Sequence, residues 1–340
     1  MKDIRDFTLD ELKREIKNMN EPEHRARQIF LWLNKKNADS FESMTDIPKT
    51  LAARLSGVFI IGKLKLARHL TSKDGTEKFL WDLGKGEYIE TVLIREQDRR
   101  TLCLSTQLGC KFKCPFCASG LKKFIRNLHV SEIVNQVLIV QKTSAERATN
   151  IVFMGMGEPL DNYDNLEKSI RIINHADGIG LGARKITVST CGFVPGMKKL
   201  KDIGLQVELA VSLHAGYDKL RDELVPVNRR YPLSELLSAC EEYYERTRRI
   251  ITFEYTLIKG KNDSLKDADR LVKIAKRINA KVNLVAVNPF PKLDCPEVTK
   301  GEMAQFARYL QRNGLPATIR KSKGQDILAA CGQLAARDMV

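Results

Sequence analysis

Between residues 100 and 320 extended and helical runs alternate, and this alternation constrains the fold more than any other feature of the 340-residue chain. Strand-like segments fall at 101–105, 150–154, 185–190, 207–213, 251–257 and 281–287, most of them rich in β-branched residues. Between them, 131–142, 165–174, 197–200, 233–246 and 264–278 carry apolar residues at helical spacing. Six β/α units in succession call for parallel strands joined by helical crossovers. An open doubly wound sheet and a barrel of fewer than eight strands both satisfy the pattern. Either one puts its chemistry at the carboxyl ends of the strands.

The conspicuous side chains do fall at those ends. Directly after the first extended run, Cys110, Cys114 and Cys117 sit in a loop of eight residues, with Phe116 before the last of them. Three thiolates can hold three corners of a cubic iron–sulfur cluster and leave one iron open to a small molecule. A structural zinc site would close its coordination with a fourth Cys or His, and the sequence next to the loop offers none. An incomplete zinc knuckle or a chance cluster are the bland alternatives. After the second strand comes Met154-Gly155-Met156-Gly157-Glu158-Pro159, in which bare glycines allow close approach and Glu158 supplies a carboxylate for an ammonium group. A tight strand-to-helix turn is the competing reading. Ser189, Ser212, Leu213 and His214 close the next two strands, and Asn288 ends the sixth. Their polar groups could bind a ribose, a base or a carboxylate, or simply cap helices and turns. Cys103 lies within the strand that leads to the cysteine loop. Cys331 is flanked by Ala330 and Gly332, which leave room for a substrate. Cys191, Cys240 and Cys295 read as inert.

The flanks are simpler. Residues 1–57 read as a small helical module, with a capping box at Thr8 and Glu11, a second helix from Pro22, and a third over 44–55. Residues 58–99 read as a β-extension with a hairpin turn at 83–87, and 321–340 as a terminal segment carrying Cys331, after a helix at 302–313 and a strand at 317–320. No run of about 18 apolar residues exists, and residues 1–10 are charged, so neither a membrane span nor a secretory signal is expected and the protein should be cytoplasmic. Eight scattered cysteines suit a reducing compartment. A formal charge of +15 favours a polyanionic partner, nucleic acid before anionic membrane. The cations of 23–36 fit a solvated helix face as well as RNA contact.

Taken together, Cys110-x3-Cys114-x2-Cys117, the Gly157-Glu158-Pro159-Leu160 turn, Ser212-Leu213-His214 and Asp326-Ile327-x3-Cys331-Gly332-Gln333-Leu334 resemble the radical S-adenosylmethionine (SAM) rRNA adenine C2 methyltransferases, some of which also act on tRNA. The likeness covers nearly the whole chain. It implies an α/β fold, an incomplete (β/α)6 radical SAM barrel over 100–320. It also implies one 4Fe-4S cluster on Cys110, Cys114 and Cys117, and SAM bound by Gly157, Glu158, Ser189, Ser212, Leu213, His214 and Asn288. Two SAM molecules would serve each turnover. Cys331 would carry the methyl group, Cys103 would release the product through a transient disulfide, and Glu90 would accept a proton. The implied partners are 23S rRNA, tRNA as a further substrate, and an electron donor such as flavodoxin or ferredoxin, with the enzyme a monomer. Gly157-Glu158-Pro159-Leu160 and Asn288-Pro289-Phe290-Pro291 look like the C2 enzymes rather than the C8 resistance type, which is the alternative. Adenine C2 is not nucleophilic, so a radical route is the one that fits. A different radical SAM reaction, such as activation of a glycyl radical on a partner protein, would leave Cys103 and Cys331 without a role, and a non-catalytic RNA-binding protein with a structural metal would show a closed zinc site, no colour and no SAM cleavage.

Overall fold

A computed structural model describes residues 1–293 and 295–334; the last six residues of the terminal segment lie outside the described part. One ten-stranded sheet organises it: β1 (Lys65–Thr71), β2 (Glu77–Asp82), β3 (Tyr88–Glu96), β4 (Arg99–Cys103), β5 (Asn150–Phe153), β6 (Ile186–Thr190), β7 (Glu208–Ser212), β8 (Thr252–Leu257), β9 (Lys281–Ala286) and β10 (Ala317–Ile319). The strands lie side by side in sequence order. β1 to β4 form an antiparallel meander, and β4 to β10 are all parallel. The sheet does not close: β1 and β10 are its edges. The six expected strands and the short one after them are all present. β1 is the strand that pattern reading missed. It is an edge strand, exposed along nearly its whole length, so nothing imposes apolar alternation on it.

The helices explain which face of the sheet is which. Leu102, Ile151 and Ile186 form one cross-strand row, Phe153, Val188 and Leu209 the next, and Val211, Phe253 and Val282 a third, all fully buried. These rows meet the crossover helices, as where Tyr255 stacks on Phe306 with ring centroids 5.7 Å apart. The opposite face is polar, because the pleat turns alternate residues away: Thr187, Ser189, Glu208, Ser212, Glu254 and Asn283. A parallel sheet normally buries apolar side chains on both faces. The polar residues set this face apart from the packed one.

The helices run α1 (Leu9–Asn18), α2 (His24–Asn34), α3 (Lys49–Val58), the single turn α4 (Ala118–Leu121), α5 (Val130–Ser144), α6 (Tyr163–Asn174), α7 (Val194–Leu200), α8 (Asp218–Leu224), α9 (Leu233–Thr247), α10 (Leu265–Ile278) and α11 (Lys300–Arg312). The Thr8–Glu11 capping box forms as expected. α3 begins after Pro48, whose fixed φ ends the preceding turns, rather than at residue 44. α8 had no sequence signal, since its run of charged residues hides the buried Arg221. The N-terminal module has its own core around Ile4, Leu12, Ile16, Phe30 and Leu55, but that core continues into Val130, Val134 and Leu138 of α5 and Ile172 of α6.

Candidate active site

The cysteine loop leaves β4 and is pinched at its base by an antiparallel pair, Gln107–Leu108 against Arg126–Asn127. Within it the Cys117 amide donates to the Cys114 carbonyl at 3.1 Å and the Gly120 amide to Cys117 at 2.9 Å. A Cβ on Gly120 would stand 2.8 Å from the Cys114 carbonyl oxygen, so the turn is too close for any other residue. Burial pushes the Cys110 thiol up to about 12 and the Cys114 and Cys117 thiols up as well, with each of Cys110 and Cys114 raised further by its neighbours. The three sulfurs thus lie within electrostatic reach of one another. Yet no three His, Cys, Asp or Glu side chains among the described residues converge tightly enough for a single metal ion. Soft thiols spaced around a common volume fit a multi-iron cluster better than one zinc ion, and coordination would reverse their protonation outright. Cys191, set aside in the sequence, stands within electrostatic reach of Cys110 and Cys114, but its thiol is hydrogen-bonded to Glu158.

Glu158 is buried, and burial raises its pKa against the pull of its hydrogen bonds. Its carboxylate accepts from the Cys191 amide at 2.8 Å and the Leu160 amide at 3.1 Å. The carboxylate therefore locks the β5 turn to the end of β6. Gly157 has φ of 91°, and a Cβ there would lie 2.4 Å from Cβ of Gln107, whose amide oxygen accepts from the Glu158 amide at 2.8 Å. Ser189 lies on the polar face of the sheet on β6, and Ser212 ends β7 half-buried. The Leu213 side chain is buried, and its carbonyl, with those of Ser212 and Cys191, accepts from the buried guanidinium of Arg221 at 3.1, 3.2 and 2.7 Å. His214 adopts φ of 55° and accepts from the Thr256 amide at its Nδ1, 2.9 Å away, so the neutral ring carries its proton on Nε2. Burial, with Arg221 beside it, lowers its pKa to about 3. The Phe116 ring meets it edge-on at 4.9 Å, joining the cysteine loop to the end of β7.

The terminal loop carries Cys331 across this mouth. Its Gly332 carbonyl accepts from the Ala118 amide at 2.7 Å, Gln333 donates to the Pro289 carbonyl at 2.6 Å, and Asp326 accepts from the Ser72 hydroxyl at 2.5 Å. Asn288 donates to the Cys331 carbonyl at 2.9 Å and accepts from Gln325 at 2.8 Å, so its amide brackets the loop at both ends. Cys331 is exposed, and Cys103 is buried at the end of β4; both are free thiols. They lie within electrostatic reach of each other and of Arg320, while Cys331 also reaches Cys117. Burial holds the Cys103 thiol near 12; for Cys331 the surrounding protein raises the pKa and Arg320 opposes it. Arg320, after β10, is anchored on Glu254 at 3.4 Å, which also accepts from Asn283 at 2.9 Å. Glu90 lies on β3 with its carboxylate 3.0 Å from Lys78 Nζ on β2. Because Val92 pairs with Cys103, and side chains two apart share a face, Glu90, Val92 and Cys103 all point to one side of the sheet. Sequence reading had singled out neither Lys78, Arg221 nor Arg320. Each is a lone cation in a chain full of them; burial distinguishes Lys78 and Arg221, and the Glu254 anchor distinguishes Arg320.

The comparisons agree with this geometry. Residues 104–272 match the model of the Radical SAM superfamily, and residues 2–61 that of the "Ribosomal RNA large subunit methyltransferase N-terminal domain". A protein of Clostridium perfringens described as "Probable dual-specificity RNA methyltransferase RlmN" is 46% identical over 335 residues, covering 98% of this chain and 96% of the relative. One of the same description from Geobacillus thermodenitrificans is 45% identical over 338 residues, covering 98% and 93%. The crystal structure of a radical SAM methyltransferase from Sphaerobacter thermophilus superposes with a TM-score of 0.93 at 43% identity, covering 99% of this chain and all of that one. This family implies a 4Fe-4S cluster and SAM, and the three soft thiols of one loop are a fitting donor set for the cluster. Mouth, cysteine loop and comparisons lead to one conclusion: the chain belongs to the RlmN family of radical SAM RNA methyltransferases.

Proposed function

We propose that this enzyme methylates C2 of an adenosine in 23S rRNA, with tRNA as a second substrate, through an S-methyl group carried on Cys331. The observation that carries the reading is that the terminal loop is bonded to the cysteine loop, Gly332 accepting from the Ala118 amide at 2.7 Å, which sets Cys331 within electrostatic reach of Cys103. The relatives' description as dual-specificity enzymes supports the second RNA class.

Cys110, Cys114 and Cys117 would hold the cluster, and Gly157, Glu158, Ser189, Ser212, Leu213, His214 and Asn288 would surround the SAM site. A bound cluster would supply the one-electron chemistry: reductive cleavage of SAM to methionine and a deoxyadenosyl radical, and an acceptor for the electron that the base adduct must lose. The Cys331 sulfur first accepts a methyl group from one SAM, losing its thiol proton and leaving S-adenosylhomocysteine. It then gives up a hydrogen atom from that methyl, and the carbon radical on Cys331 adds to adenine C2. Glu90 takes the C2 proton. Cys103 gives up its thiol proton and attacks the Cys331 sulfur, the carbon–sulfur bond breaks, and the methylene carbon now attached to C2 takes up a proton to become the new methyl group, leaving a disulfide that a thiol reductant reopens. Until then burial keeps Cys103 protonated, which guards it against pairing early. The +15 charge suits the RNA, whose target base must leave its stack to enter.

Anaerobic incubation with protein-free large-subunit rRNA, SAM and a reductant, followed by mass spectrometry of the nucleosides, tests the assignment. 2-Methyladenosine is expected, and none with Cys331→Ala. 8-Methyladenosine would move the chain to the resistance type, and product from Cys331→Ala would end the carrier reading.

A further inference from the structure

Lys78, the second residue of β2 and paired with Val92 of β3, is buried, a state that lysine occupies only when its charge is engaged. Its ammonium has two partners that belong to different parts of the mouth. One is the Glu90 carboxylate, 3.0 Å away on the neighbouring strand, and both side chains are almost wholly shielded from water. The other is the Leu328 carbonyl, 3.1 Å away in the terminal loop, three residues before Cys331. Leu328 has φ of 53°, a left-handed conformation that a leucine adopts only when its surroundings hold it there. Pairing of Lys78 with Val92, and of Val92 with Cys103, places all three on the face that carries Glu90.

We propose that Lys78 is a positioning residue for the methyl transfer: it ties the proton-accepting carboxylate of Glu90 to the loop that presents Cys331. The inference rests on the proposed roles of Glu90 and Cys331. A buried ion pair by itself is weak evidence of stabilisation, because apolar residues of like volume often serve as well. What sets this pair apart is the third partner. The carboxylate can receive the C2 proton only while the base is joined to Cys331, so the two groups must be registered to each other at that moment. They lie on separate segments, and Lys78 bonds to both. Moving the loop by an ångström would separate the proton from its acceptor.

The test uses the full chain with its cluster reconstituted anaerobically, in wild-type form and as Lys78→Met, Lys78→Arg, Glu90→Gln and the Lys78→Met/Glu90→Gln double variant. Two signals are read: backbone hydrogen exchange over 324–334, and 2-methyladenosine formed on rRNA. Lys78→Met should exchange faster over 324–334 and yield at least about tenfold less product. Lys78→Arg should recover most of both. The double variant should be no worse than the poorer single one, since both changes remove the same function. Unchanged exchange in Lys78→Met, or losses that multiply in the double variant, would overturn the proposal while leaving Glu90 and Cys331 in place. Full yield from Glu90→Gln would instead remove the proton-acceptor reading, and the tie with it. If Lys78→Met does not fold, Lys78→Gln is read in the same way.

Discussion

At the residue scale, burial decides what each polar group can do. His214 is a ring with an ordinary value of 6.5 that the fold lowers to about 3, burial first and Arg221 second. The sign of the consequence follows from the unfolded chain, which takes up the proton near 6.5 when the native ring cannot. The stabilisation is fully present above that pH and is lost as pH falls toward 3. Urea unfolding of the apoprotein should therefore weaken with falling pH across this window. His214→Gln, which keeps an acceptor for the Thr256 amide, should reduce that slope by one proton, about 1.4 kcal/mol per pH unit. An unchanged slope would assign the acid sensitivity elsewhere. His214 was visible in the sequence as a residue at a strand end. Its neutrality was not, because that depends on burial and Arg221 of the following helix, and its tautomer on Thr256, which is remote in sequence.

At the element scale, turns between strands and helices bring backbones together, and they fix which side chains are tolerated. The β5 turn passes so close to Gln107 that Gly157 has no room for a methyl group and holds a φ unfavourable to any other residue. Gly157→Ala should lower stability by roughly 1–3 kcal/mol through strain at this φ and displacement of Gln107. It should also weaken SAM retention, as measured by equilibrium dialysis, if the turn faces the ligand. Loss of stability with intact SAM retention would leave the glycine a purely structural part. The sequence showed this glycine as a space for a ligand; the structure shows that a neighbouring glutamine occupies part of it. Asn288 changed in the same way. Its strand-end position suggested an open amide, yet the terminal loop engages both ends of it.

At the scale of the whole molecule, the N-terminal module and the sheet share a core. Ile172 of α6, fully buried, belongs to the module's apolar cluster although it lies among the crossover helices. Ile172→Ala should cost about 2–5 kcal/mol. Because the core is shared, Trp32 in α2 and Trp81 in β2 should report one transition, shifted together; two separate transitions would show that the module folds alone. What the sequence determined by itself were the features written locally: helix and strand periods, caps, the cysteine spacing, and the glycines after β5. These need only neighbours a few residues away, and the parallel order followed from their alternation. The tertiary structure alone decided which isolated residues meet. Cys103 within electrostatic reach of Cys331, and Lys78 bonded to the Leu328 carbonyl, are encounters of long sequence separation. No period encodes them, because they arise where the sheet's polar face is crossed by a loop from the far end of the chain.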